Sequence, residues 1–296
     1  MKLRKLYAAT ALLIASGVAN ADPITITNPF GTTNAFDAVG ATDLPVTSVY
    51  MNDGSISQGT EAADLVGTTL AFTDNGSGTI GQLSPLLGTA STAGYGNNWV
   101  LGFSYSLTGD ATFVDGVFGA PSDGSMDEND DKFIDFFDSL VPTYSGGTFE
   151  FFYIDISADP SDPENGTSTK VLELALSGFS VSGPNVIFNA KADYNWYTDG
   201  TSGGLVENFF TAQNGFTFHE LATDNGAIPV AQTIKFRADF NVDPNRLPQC
   251  ADATCATLTR DTNLNISGTF SVPEPASIAI LGLGLLGLGL RKKTKV

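Results

Sequence analysis

The sequence has few of the side chains on which active sites and thiolate or imidazole metal sites are built. It contains one histidine, His219, and two cysteines, Cys250 and Cys255, among 296 residues. A hydrolytic triad needs a serine and an acid beside the histidine, and nothing in the sequence singles out such partners. His219 lies in the alternating stretch Gly215–Leu221, which predicts a strand and a structural role. Because no further thiol or imidazole is nearby, the cysteines predict a local disulfide in an oxidising compartment.

Basic residues are also scarce, with 14 Lys and Arg against 32 Asp and Glu. Three of the basic residues lie before residue 22 and four lie after residue 271, which leaves seven against 31 acids in between, a net charge of −24. This body repels nucleic acid and anionic lipid surfaces, so we expect no nucleic-acid partner. The chain is still 42% hydrophobic with 21 Phe, which is too apolar for a disordered acidic chain and predicts a folded domain.

Long apolar runs are missing except near the two ends. Leu6–Val18 follows three basic residues and precedes Ala19-Asn20-Ala21, which predicts a signal peptide over residues 1–21. Ala276–Leu290 is followed by four basic residues. As a helix this run spans about 22 Å at about 1.5 Å per residue, which is short of the roughly 30 Å of a bilayer core. It is more typical of a sorting signal than of a permanent anchor.

The segment 272–296 resembles the PEP-CTERM sorting signal of Gram-negative bacteria. The resemblance rests on Val272-Pro273-Glu274-Pro275, the short apolar helix and the basic end, in that order. It implies export, transient insertion into the inner membrane, and processing near Pro273, Glu274 and Pro275 by an exosortase, which is a membrane protease-transpeptidase. The final location would be the cell surface or the extracellular matrix.

The body also resembles the flocculation-associated PEP-CTERM proteins. The similar stretches are Val171–Gly178, Lys235–Pro244 and the strand "NLNISGTF" that runs into the tail. This resemblance implies a role with matrix exopolysaccharide in biofilm or floc formation.

Apolar and polar residues alternate through most of the body, 22–271. The alternation is clearest over Trp99–Leu107 and Ile234–Phe240, and it is typical of strands with one buried face. Roughly ten to fourteen such strands without intervening helices predict an all-β fold, an antiparallel β-sandwich or jelly roll. One exception is Asp130–Leu140, whose Phe and Leu residues share a helical face and predict a short helix.

An acidic stretch, Asp127–Asp138, is similar to an EF-hand calcium loop. The oxygen ligands would come from six residues: Asp127, Asn129, Asp131, Phe133, Asp135 and Asp138. Lys132 stands where that loop has glycine, and Asp138 stands where it has glutamate. Two interpretations remain open, a calcium site or a solvated acidic loop, and no other cofactor is predicted.

Three aromatic residues, Tyr194, Trp196 and Tyr197, precede the polar loop "TDGTSGG". They are either sheet core or a platform on which sugar rings stack.

Our leading hypothesis is a non-enzymatic, exported protein of the cell surface or matrix, with exopolysaccharide and an exosortase-type protease as partners. The alternatives are a lectin-like carbohydrate-binding module and a secreted polysaccharide hydrolase.

Overall fold

The fold consists almost entirely of antiparallel strands. The computed structural model describes residues 23–57, 67–84, 93–114, 139–182, 185–193, 204–222, 234–241 and 248–272. The strands are β1 (Ile24–Asn28), β2 (Gly31–Thr32), β3 (Ala38–Met51), β4 (Thr69–Thr79), β5 (Gln82–Ser84), β6 (Trp99–Val114), β7 (Ser139–Asp155), β8 (Thr167–Ser182), β9 (Asn185–Ala192), β10 (Phe210–Ala212), β11 (Lys235–Asn241), β12 (Gln249–Cys250) and β13 (Thr257–Ser271). The helices are α1 (Gly204–Asn208), α2 (Phe218–Ala222) and a 3-10 turn (Pro163–Asn165). The predicted all-β antiparallel class is confirmed.

Ten strands form one large sheet, in the order β12-β13-β11-β9-β8-β7-β6-β4-β3-β5. The sheet closes on itself because β13 pairs with β11 through its second half and with β3 along most of its length. Opposed strands face each other across one interior, as the two halves of a sandwich do. Phe103 on β6 contacts Phe236 and Phe240 on β11, for example, although β6 and β11 are not neighbours in the sheet.

The core follows from the alternation along each strand. On β6, Trp99, Leu101 and Phe103 are buried, whereas Ser106 and Thr108 are exposed farther along the strand. Burying each large apolar side chain contributes about 1.5–3 kcal/mol. The aromatic side chains that dominate this interior therefore supply much of the force that holds the sheet closed.

A small sheet covers one end of the closed sheet. Its order is β10-β1-β2, and α1 and α2 lie beside it. Phe210 of β10 contacts Phe151 and Phe270 of the large sheet, and Phe218 of α2 also contacts Phe270. These contacts join the two sheets into one core.

The predicted strand Gly215–Leu221 is wrong, because a helix begins after Thr217. The backbone N–H of Thr217 donates to Glu220 Oε2 (2.8 Å), and the N–H of Glu220 donates to Thr217 Oγ1 (3.0 Å). This reciprocal pair is a capping box, which satisfies two N–H groups that the first helical turn leaves without partners. His219 therefore lies in α2 and not in a strand.

The helix predicted over Asp130–Leu140 is also wrong at its end, since Ser139 and Leu140 begin β7. Those two residues pair with Val114 and Phe113 of β6, so cross-strand pairing there overrides the helical pattern. The remaining residues, 130–138, lie outside the described residues.

Two further predicted segments lie wholly outside the described ranges. They are the signal peptide over residues 1–21 and the apolar run Ala276–Leu290. Within the described ranges, no helix combines the length and the apolar character needed to cross a membrane.

Candidate functional site

A β-bulge shapes the outer surface where β3 meets β13. The register shifts between Leu264, which is opposite Leu44, and Ile266, which is opposite Ala41. Two residues of β3, Thr42 and Asp43, therefore lie opposite a single residue of β13. Asp43 has a positive φ of 54°, and its backbone N–H donates to Asn265 Oδ1 (3.2 Å). Bulges of this kind re-aim side chains and are often found next to functional sites.

A groove of about 630 Å³ lies beside the bulge. Small residues of β3, among them Ala38 and Gly40, line it together with residues of β5, β9, β11 and β13. Its polar side chains come from Thr42, Gln82, Ser84, Asn185, Asp239, Asn265 and Ser267. The volume is in the range of small-ligand sites.

The chemistry of the groove suits a ligand rich in hydroxyl groups. Amide side chains both donate and accept hydrogen bonds, hydroxyl groups do the same, and Asp239 supplies an acceptor. Among the residues that line this groove there is no Lys, Arg or aromatic side chain. The groove can therefore hold a polar neutral ligand by hydrogen bonds, without the stacking that aromatic platforms provide.

A basic patch lies next to the groove on the same outer face. It consists of Lys191 on β9 and of Lys235 and Arg237 on β11, all exposed. Lys191 is directly opposite Lys235 in the β9–β11 register, and like charges in that position destabilise a sheet. The ion pairs found among the described residues all involve Lys170, and neither of them includes a residue of this patch.

A third polar group is buried inside the closed sheet. The Ser48 hydroxyl donates to Asp74 Oδ1 (2.8 Å) and the Tyr144 hydroxyl donates to Asp74 Oδ2 (3.1 Å). Arg260 Nη2 donates weakly to Ser48 Oγ (3.4 Å). The Tyr105 hydroxyl and Arg260 Nε are buried without a hydrogen-bond partner among the described residues.

Burial dominates the electrostatics of this buried group. Desolvation raises the pKa of Asp74, and the charge of Arg260 and the hydroxyl donors Ser48 and Tyr144 oppose that effect only in part. Desolvation also raises the pKa of Tyr105 and Tyr144 well above the usual tyrosine value. The group is sealed in the core, since Ser48 and Asp74 are 0% and 5% exposed, so we interpret it as a structural network.

The two cysteines are joined in the structure by a disulfide, Cys250–Cys255. Asn52, just after β3, ties this loop to the end of the sheet by donating its side-chain amide to the carbonyl of Cys255 (2.6 Å) and to that of Ile56 (2.6 Å). The disulfide thus secures the short strand β12 against β13.

The other predicted site residues lie outside the described residues. They are the calcium loop, the aromatic platform Tyr194, Trp196 and Tyr197, and the motif Pro273, Glu274 and Pro275. Within the described ranges, no group of three or more His, Cys, Asp or Glu could hold a metal ion. Sequence reasoning missed the groove and the basic patch, because each is assembled from strands that are distant in the chain.

The last described strand runs directly into the tail. β13 ends at Ser271, and Val272 is only 6% exposed. The molecule is thus an all-β domain with a processing segment attached to the strand that closes its sheet. The model of the PEP-CTERM protein-sorting motif matches residues 271–293, which confirms the predicted sorting signal. No curated protein matches the chain, and no solved structure matches it.

The motif carries two consequences for the protein. It is exported, and it is a substrate for processing by an exosortase. Because the match begins at Ser271 and β13 also ends there, processing near Pro273–Pro275 would remove no residue from the closed sheet.

Proposed function

We propose that this exported protein is a non-enzymatic component of the cell surface or extracellular matrix, and that it acts with exopolysaccharide in biofilm or floc formation. The observation that carries the proposal is the outer groove, whose amide and hydroxyl side chains suit the hydroxyl groups of a glycan. The sorting motif supports it as well, because the motif implies delivery out of the cytoplasm.

Binding is favoured over hydrolysis by the number of carboxylates in the groove. Glycosidases commonly use two carboxyl groups that flank the scissile bond. Among the described residues that line the groove, only Asp239 carries one. The lectin-like and matrix hypotheses therefore combine into one proposal, a glycan-binding module, and the hydrolase hypothesis has no support from this groove.

The biological role is tested by comparing a gene deletion with a deletion of residues 272–296 alone. We expect both strains to lose aggregation, and the tail deletion to release the protein from its normal fraction. Unchanged aggregation in both strains would exclude the matrix role.

The groove is tested separately with the purified protein. We expect the exopolysaccharide of the producing cells to bind the wild type, and the double variant Gln82→Ala with Asn185→Ala to bind at least tenfold more weakly. The matched control is Asn75→Ala with Asn263→Ala, which removes two exposed amides outside the groove. Equal binding by both double variants would place the glycan elsewhere.

A further inference from the structure

The basic patch lies where the sorting tail leaves the domain. Lys235 of the patch is directly opposite Ser271 at the end of β13, and the sorting motif begins at that residue. Three of the seven basic residues between positions 22 and 271 are thus gathered within two strands of the tail. The domain around them carries 31 acids.

The length of the connecting chain limits how far the patch can lie from a membrane that holds the tail. Val272 is buried against the core, so only four peptide links separate it from Ala276, where the apolar run starts. Four extended residues span at most about 14 Å. The headgroup layer on one side of a bilayer takes up about 6 Å of that length. If Ala276 enters the hydrocarbon, Val272 lies within about 8 Å of the headgroup surface, and Ser271 is the next residue.

That distance is about one Debye length at physiological ionic strength. Charges near Ser271 therefore interact with anionic headgroups. The acids nearest the patch are Asp239 on β11, Asp193 directly after β9, and Glu173 on the neighbouring strand β8, which is paired with Lys170. On the outer face of β9 and β11 themselves, three basic side chains stand against one acid, Asp239.

We propose that Lys191, Lys235 and Arg237 form a membrane-facing surface that binds anionic lipid headgroups while the tail is inserted. It holds the outer face of β9, β11 and β13 against the bilayer, and it thereby keeps Pro273–Pro275 at the membrane surface, within reach of the processing enzyme. This role also accounts for the Lys191–Lys235 pair, whose repulsion an anionic surface relieves. The inference rests on the sorting function of the tail and not on the matrix role.

Flotation of the chain from residue 22 to 296 with lipid vesicles tests this surface. Vesicles of phosphatidylcholine alone are compared with vesicles that also contain phosphatidylglycerol, at low and high salt. A basic residue near an anionic surface strengthens binding by about fivefold. We therefore expect the triple variant Lys191→Gln, Lys235→Gln, Arg237→Gln to bind the anionic vesicles up to roughly a hundredfold more weakly, and the difference to disappear at high salt.

Two controls separate the patch from general effects of charge and folding. Lys170→Gln also removes one basic charge from the outer face, but Lys170 is paired with Glu150 and Glu173, so this variant should bind as the wild type does. A second triple variant, with Lys191→Arg, Lys235→Arg and Arg237→Lys, keeps all three positive charges and should retain binding to the anionic vesicles. The triple Gln variant should unfold at the same temperature as the wild type or at a higher one, because it loses the like-charge pair.

Three outcomes would overturn the proposal. One is equal binding of wild type and triple Gln variant to the anionic vesicles. Another is an equal loss on phosphatidylcholine alone, which would indicate damage to the fold. The third is a loss seen only with a soluble acidic polysaccharide such as alginate, which would make the patch a glycan site. If the vesicle test fails while deletion of the gene abolishes aggregation, this inference falls and the matrix role stands.

Discussion

Replacing the buried Asp74 by Ala should destabilise the domain strongly. The substitution removes the acceptor of two buried hydroxyl donors, Ser48 (2.8 Å) and Tyr144 (3.1 Å). Each donor left without an acceptor costs about 1–3 kcal/mol, so we expect the free energy of unfolding to fall by about 4 kcal/mol. For a domain of about 250 residues this corresponds to a melting temperature roughly 8–16 °C lower, which thermal unfolding followed by circular dichroism would measure.

The variant Asp74→Asn isolates the effect of the buried charge, because asparagine has the same shape as aspartate but does not ionise. Because burial raises the pKa of Asp74, the folded state holds this proton more tightly than the unfolded state does. The stability that this gives is complete below the ordinary pKa of 3.8, and it is lost as the pH rises through the folded-state pKa. Each tenfold difference in proton affinity between the two states is worth about 1.4 kcal/mol.

The wild type should therefore lose stability relative to Asp74→Asn as the pH rises above about 4. Denaturant unfolding of both proteins at several pH values measures this difference. Hydrogen bonds lower the pKa of four aspartates outside the core, Asp53, Asp155, Asp159 and Asp252. The stability that these four carboxylates contribute is lost as the pH falls and not as it rises. It is the same in the wild type and in Asp74→Asn, so it cancels from the difference between them.

The control is Asp261→Asn, which changes an exposed acceptor of a hydrogen bond from Thr47 (2.7 Å). It should change the free energy of unfolding by about 1 kcal/mol or less, as exposed substitutions usually do, and with little dependence on pH. If Asp74→Ala costs no more than this control, the buried network does not hold the core together. If the difference in the free energy of unfolding between the wild type and Asp74→Asn is the same at all pH values, the electrostatic reasoning is refuted.

Two further predictions concern the backbone of the closed sheet and the disulfide. A Cβ at Gly109 would lie 2.2 Å from the carbonyl oxygen of Thr143, so Gly109→Ala should destabilise the domain by about 3 kcal/mol. Gly178→Ala, which meets nothing within 4 Å, should change the melting temperature much less, and equal shifts for the two variants would contradict the tight β6–β7 register. Replacing both cysteines by Ala should lower the free energy of unfolding by about 2 kcal/mol, because the disulfide closes a loop of only a few residues, and a denaturant curve unchanged from that of the wild type would show that the crosslink constrains nothing.

Local patterns predicted the strands well because the burial of alternate residues is a local property. Trp99–Leu107 lies on β6 and Ile234–Phe240 runs into β11, and both stretches bury the predicted face. The pattern failed at Thr217, where Phe216 and Phe218 on either side of it resembled strand alternation although Thr217 and Glu220 form a capping box. Weighing the capping signal against so short an alternation would have identified the helix.

Neither the groove nor the basic patch has a local signal. The polar residues of the groove lie on four different strands, for example Gln82, Asn185, Asp239 and Asn265. In the sequence, none of them can be distinguished from an ordinary exposed polar residue of a strand. The Lys191–Lys235 pair depends on the exact β9–β11 register, since a shift of one residue would turn every side chain to the other face. Asp74 lies in an alternating stretch with Leu70 and Phe72, but its partners Ser48 and Tyr144 come from two other strands.

The all-β class, the acidic character and the sorting signal could all be predicted from the sequence, because alternation and a contiguous motif are local and composition needs no fold. The closure of the sheet could not be predicted in this way. The closing pairs, from Thr257 with Met51 to Thr269 with Ala38, join segments more than 200 residues apart, and a pairing register over that distance is chosen by the packing of the whole core. That closure places the groove beside the bulge and the basic patch beside the end of the last strand.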